Sequence, residues 1–140
     1  MLYRAATMTF QSPRVMRHLM HALEGSGNYT EAEHFLDSYL FMVENEKKTL
    51  AKTGANVQDE DLVPDIDSDE DILRTMSAGV RLLVKYLNKG EKSLHLAQNM
   101  EAKCNSWLVE DPLVLAEVWH AVGIANSLWS KQSILFGWAG

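Results

Sequence analysis

Three histidines come closest to a chemical constellation in this chain. His18 and His21 stand three residues apart, and His34 follows in the next helical stretch. Imidazoles at i and i+3 share a helix face, so three of them brought together across a hairpin could ligate zinc. No cysteine partner or His-Glu-x-x-His spacing supports the metal, and surface histidines are the plainer reading. A second constellation, Asp65-Ile66-Asp67-Ser68-Asp69, copies the opening of a calcium-binding EF-hand loop. The copy fails where the geometry is most demanding: Glu70 stands in place of the turn glycine and Met76 in place of the bidentate glutamate. A solvated acidic loop is the plainer reading. Ser68 in its acid run could also serve a kinase, although capping a helix is the plainer reading. Cys104, the one cysteine, falls on an apolar helix face and reads as a small buried hydrophobe. No serine elbow, phosphate loop or dinucleotide fingerprint occurs. The sequence therefore predicts no enzyme, with no catalytic residue, metal or cofactor.

The elements that carry these residues are helical. At 140 residues and 46% hydrophobic content the chain is long enough for one domain with a moderate core. No run approaches the length of a membrane span, and the first residues, Met1-Leu2-Tyr3-Arg4, lead into no apolar signal core. A single cysteine excludes an internal disulfide and suits a reducing, cytoplasmic setting. The net charge of −6 is concentrated: Asp59 to Asp71 holds eight acids and no base. The remainder is near neutral, without the clustered basic face that nucleic-acid binding needs.

Residues 1–11 lack a period and read as an irregular N-terminus. Ser12-Pro13 reads as N-cap and first turn of a helix over 13–24, with Met16, Leu19, Met20 and Leu23 on one face. Gly25-Ser26-Gly27 ends it. A second helix over 29–53 carries Ala32, Phe35, Leu36, Tyr39, Leu40 and Val43. Residues 54–67 read as a mobile acidic loop. Ser68 and Asp71 resemble a capping box, opening a helix over 70–88 with Leu73, Met76, Val80, Leu83, Val84 and Leu87 inward. A turn at Asn88-Lys89-Gly90 leads to a helix over 91–109 with Leu94, Ala97, Met100, Cys104, Trp107 and Leu108 inward. After Pro112 a fifth helix carries Leu115, Val118, Trp119, Val122 and Trp129 on one side. The apolar tail, 131–140, has no pattern.

Gly27-Asn28-Tyr29-Thr30-Glu31-Ala32-Glu33 joins two such helices by a tight Gly-polar-aromatic turn, with a small residue five positions after the glycine. That is the core of a tetratricopeptide (TPR) hairpin. Trp119-His120-Ala121-Val122-Gly123, seven residues after Pro112, resembles the first helix of another repeat. In such repeats the tryptophan packs on a neighbour and the glycine admits a close helix approach. The expected fold is all-α, a TPR-like solenoid fragment of two and a half antiparallel hairpins over 12–130. Gly27, Tyr29, Ala32, Gly90, Pro112, Trp119 and Gly123 are its repeat signature. The fifth helix lacks a partner, which implies a piece of a longer array or an end that pairs with something else.

Three stretches together resemble a known family: Ser26 to Glu33, Ala78 to Lys89 and Val118 to Ala125, with the long acidic insert between the first two. The family is that of the fungal Ypp-type cargo-transport protein and its animal relative, tetratricopeptide-repeat protein 7. The resemblance spans about residues 12–130 and only a small internal part of those proteins. It implies a non-catalytic helical scaffold that links phosphatidylinositol 4-kinase to a lipid-anchored plasma-membrane protein and, in fungi, serves endocytic cargo transport. Protein partners and a peripheral place at the plasma membrane follow from it, beside the absence of nucleic-acid binding and of a transmembrane segment read from charge and hydropathy. Lys47, Lys48, Lys52, Trp129 and Trp138 are candidate partner contacts, with Lys85, Lys89 and Lys92 as a second basic group. A generic TPR peptide-binding adaptor and a histidine-based metal protein are the alternatives.

Overall fold

The structure, a computed structural model, describes residues 12–53 and 67–139, with side chains over 12–48 and 67–134. Five helices account for them: α1 (Pro13–Gly25), α2 (Tyr29–Thr53), α3 (Asp69–Lys85), α4 (Gly90–Ser106) and α5 (Pro112–Ala139). Among the described residues there is no strand. The protein is all-α, as its apolar spacing requires. The chain divides into two compact units, one up to Asp67 and one from Ser68.

In the first unit α1 folds back on α2. The turn between them is closed by a left-handed residue. Gly27 takes φ +86°, a region that costs glycine nothing. Its N–H donates to the Glu24 carbonyl (3.2 Å), and the Asn28 N–H donates to that of Leu23 (2.9 Å). These two bonds are a Schellman cap, satisfying carbonyls that the end of α1 would otherwise orphan. Met16 and Met20 bury against Ala32, Leu36, Tyr39 and Val43, the expected stripes of both helices. Leu19, Leu23, Phe35 and Leu40 sit at the margin, half-buried.

In the second unit α3, α4 and α5 each pack on the other two. Ser68 caps α3 as expected: its Oγ accepts from the Asp71 N–H at 3.2 Å, and Asp69, Glu70 and Asp71 occupy the favourable positive end of the helix. Two partners bury two faces of α3. Ile72, Thr75, Ser77, Ala78 and Leu82 are therefore buried along with the expected Leu73, Met76, Val80 and Leu83. The hydroxyls among them are satisfied: Thr75 donates to the Asp71 carbonyl (2.7 Å) and Ser77 to the Met100 sulfur (3.2 Å).

The inward face of α5 departs from the expected one. Val114, Val118, Ala121 and Ala125 are buried, while Trp119 and Trp129 are 52% and 41% exposed. A helix wedged between two others presents small residues to them; indole rings at those positions would hold the backbones apart. On α4 the expected Ala97, Met100 and Cys104 are buried, joined by Leu96 and Ser93, while Leu108, just past the end of the helix, is 80% exposed. The stretch 131–140, expected as an unpatterned tail, continues α5 as far as Ala139. Gly137 costs a helix about 1 kcal/mol but does not end it. The acidic loop expected over 54–67 lies outside the described residues except for Asp67.

Candidate functional site

A hollow of about 530 Å³ opens on the first unit. Met16 lines it from α1. From α2 come Phe41 and Met42, with Asp37, Ser38, Asn45 and Glu46. The α2 residues recur at four-residue spacing, so they form one helix face, next to the face that packs on α1. Phe41 is 67% exposed, an unusual setting for a large aromatic ring. Two methionines beside it make an adaptable apolar floor, since an unbranched thioether chain can rearrange to suit what it meets. The surface combines an aromatic anchor, soft apolar chains and hydrogen-bonding groups, which suits it to hold another side chain.

In the same unit, a polar cluster ties Asp67 to both helices. The Arg17 guanidinium donates from Nε to Asp67 Oδ2 (2.9 Å) and from Nη2 to Oδ1 (3.2 Å). The Tyr39 hydroxyl donates to Asp67 Oδ2 at 2.9 Å. The Asp67 side chain is 1% exposed and that of Arg17 20%. A buried carboxylate requires compensation of this kind, and the forked geometry of arginine supplies it. Asp67 thus departs from the solvated acids expected over 54–67. It is a structural anchor.

The histidines do not converge. His18, His21 and His34 are exposed, and among the described residues no three His, Cys, Asp or Glu side chains are placed to hold a metal. His21 Nδ1 lies 4.0 Å from Glu24 Oε2 on its own helix. Cys104 is buried, and burial, reinforced by the Glu101 carboxylate, raises its thiol above the ordinary value. A thiol held protonated is a poor nucleophile.

The repeat-signature residues divide. Gly27 forms the turn, Tyr29 is half-buried just after it, Ala32 is fully buried and Pro112 opens α5. Trp119 and Gly123 do not take the packing roles expected of them. The indole is largely exposed, and a Cβ added at Gly123 would meet no described atom. The close approach lies at Gly90 instead. A Cβ there would collide with the Gln132 side chain and stand 3.4 Å from the Trp129 Cα. Gln132 occupies that space as a clamp. Its Oε1 accepts from the Gly90 N–H (3.1 Å), and its Nε2 donates to the Asn88 carbonyl (2.8 Å).

Of the candidate partner contacts, Lys47 is half-buried, Lys48 exposed and Trp129 partly exposed; the side chains of Lys52 and Trp138 lie outside the described residues. Lys85 and Lys89 are exposed and Lys92 half-buried. Compared with protein-family models, with curated proteins and with solved structures, the chain matches none. Among the described residues no helix is long and apolar enough to cross a membrane.

Sequence reasoning missed Arg17, Asp67, Phe41 and Gln132. For Phe41 a signal existed: with Met42 it lies off the main stripe of α2, and two large apolar residues there mark a second face. The Arg17–Asp67 pair spans fifty positions, and no local pattern reveals it.

Proposed function

We propose that this chain is a non-catalytic scaffold of TPR-like helical hairpins that holds protein partners. Its place, as the family resemblance implies, is in the assembly that recruits phosphatidylinositol 4-kinase to the plasma membrane and supports endocytic cargo transport. On this reading α1–α2 and α3–α4 are two repeats, and α5 is the first helix of a third. The chain acts on the cytoplasmic side and reaches the membrane only through its partners. The observation that carries the reading is the hollow on α1–α2. A 67% exposed Phe41 beside Met16 and Met42 leaves apolar surface in water, and such surface is characteristic of interaction sites.

The test is photo-crosslinking. A benzoylphenylalanine placed at Phe41 is irradiated with the purified kinase complex. Crosslinks to one helical segment of that complex are the expected result. Crosslinks to unrelated peptides with none to the complex would favour a generic peptide-binding adaptor. No crosslink to either would remove the hollow as a partner site.

A further inference from the structure

We infer that the turn between α4 and α5 is a docking surface, separate from the Phe41 hollow, for a protein segment that carries a bulky apolar side chain next to Lys or Arg. This goes beyond the kinase-scaffold reading and does not depend on it.

The first observation is strain. Leu108 sits at φ +53°, in the left-handed region. Its position is that of the residue just past a helix C-cap. The Val109 N–H donates to the Cys104 carbonyl (3.4 Å) and the Trp107 N–H to that of Lys103 (2.8 Å). At the comparable turn after α1 the chain uses Gly27, and in the turn after α3 it uses Asn88, φ +54°. Glycine and asparagine tolerate the conformation; a leucine Cβ meets its own carbonyl and lowers the folding equilibrium roughly tenfold. The side chain returns little to the fold, being 80% exposed. Strain retained without benefit to packing is typical of positions used for something else.

The second observation is the surface around it. Trp119 is 52% exposed. Between Leu108 and Trp119 lies a hollow of about 240 Å³, walled also by Val109, Leu115, Cys104 and Glu110. It is large enough for one side chain. Tryptophan and its surrounding ring of lesser contacts is the usual composition of an interface anchor.

The third observation selects the occupant. Glu110 lines the hollow, Asp111 caps the neighbouring α5 by accepting from the Leu113 N–H (3.0 Å), and the Glu101 carboxylate acts on the Cys104 thiol in its wall. Lys103, next to Cys104, lies over the Trp107 ring, 5.5 Å from its centroid, and offsets part of this negative charge. A cation beside the inserted apolar group is therefore favoured, and an anionic lipid or nucleic acid is repelled.

The experiment uses the full chain and three fluorescein-labelled helical peptides, read by anisotropy. One has leucines flanked by lysines, one has glutamates for the lysines, and one has serines for the leucines. Only the first should bind, and raised salt should weaken it. Trp119→Ala and Glu110→Lys should each weaken it at least tenfold with unchanged far-UV spectra. Leu108→Gly should do two opposite things: raise the folding equilibrium roughly tenfold and weaken the peptide. A merely structural Leu108 would move only the first readout. Equal binding of the lysine and glutamate peptides, or binding untouched by all three substitutions, overturns the proposal. So does a concentration-dependent dimer abolished by Trp119→Ala, since a second copy would then be the occupant. Loss of kinase crosslinking at Phe41 with peptide binding intact would count against the scaffold reading alone.

Discussion

Gly90→Ala isolates one contact on which the second unit depends. The new methyl group would occupy the space of the Gln132 amide, while the nearest backbone atom, the Trp129 Cα, stays at an ordinary 3.4 Å. The side chain must therefore move and the helices need not. Its displacement removes two hydrogen bonds, at 3.1 and 2.8 Å, that tie α5 to the α3–α4 turn. Each is worth about 1 kcal/mol net. Alanine recovers a few tenths of a kcal/mol of helix propensity in a first turn. The expected cost is about 1–2 kcal/mol, a melting temperature lower by roughly 4–8 °C. Gln132→Ala alone should cost a similar amount. Because both changes remove the same bonds, the double variant should be no less stable than Gln132→Ala, a coupling of about 1–2 kcal/mol. Urea denaturation of the four proteins measures this cycle. Additive costs, or a Gly90→Ala that melts with the parent, would refute the clamp and with it the close approach of α4 and α5 at this point.

Asp67→Ala should destabilise the protein by about 2–4 kcal/mol, since it removes the charged acceptor shared by the fully buried Tyr39 hydroxyl and the mostly buried Arg17 guanidinium; Asp67→Asn, which keeps an acceptor, should cost less, both read by urea denaturation. A loss below about 0.5 kcal/mol for the alanine variant would mean the cluster is not an anchor. Cys104 should react with a thiol reagent far more slowly in the folded than in the unfolded chain. Its folded value is raised, so above the unfolded thiol value of about 8.5 the unfolded state loses a proton that the folded state keeps. Stability should fall as pH rises through that region, and Cys104→Ala should remove this part of the slope.

Much of the fold was legible because its signals are local. Ser68 with Asp71, Gly27 before Tyr29 and Pro112 opening α5 each fix a helix end through features within a few residues, a side-chain cap, a left-handed turn and a preset φ, and all three appear as expected. The stripes of α1 and α2 were equally readable, because a two-helix pair buries one face of each. On α3 the face with Leu73, Met76, Val80 and Leu83 was readable and its second face was not; on α5 only Val118 of the expected face is buried. A helix between two others buries two faces, one of them made of Thr75, Ser77, Ala121 and Ala125, and hydrophobicity alone does not single out such residues. Trp119 drew attention by its size, yet size is what keeps it out of a tight helix contact. The close approach was expected at Gly123 and occurs at Gly90, because only the partner across the gap, Gln132, distinguishes one glycine from another. The site followed the same rule. Phe41 could have been found from its off-stripe position, whereas Arg17 and Asp67 meet only in three dimensions.

The central claim is that this chain holds a partner through the Phe41 hollow, within a phosphatidylinositol 4-kinase assembly. Its most direct test is binding of the purified kinase complex to the immobilised chain, measured by interferometry for the parent and for Phe41→Glu. A charge on a residue that is already largely exposed leaves the fold intact, which thermal melting verifies, but removes the apolar anchor. The expected result is saturable binding by the parent, weakened at least tenfold by Phe41→Glu. A folded parent that does not bind the complex, or a Phe41→Glu that binds it equally well, would contradict the account.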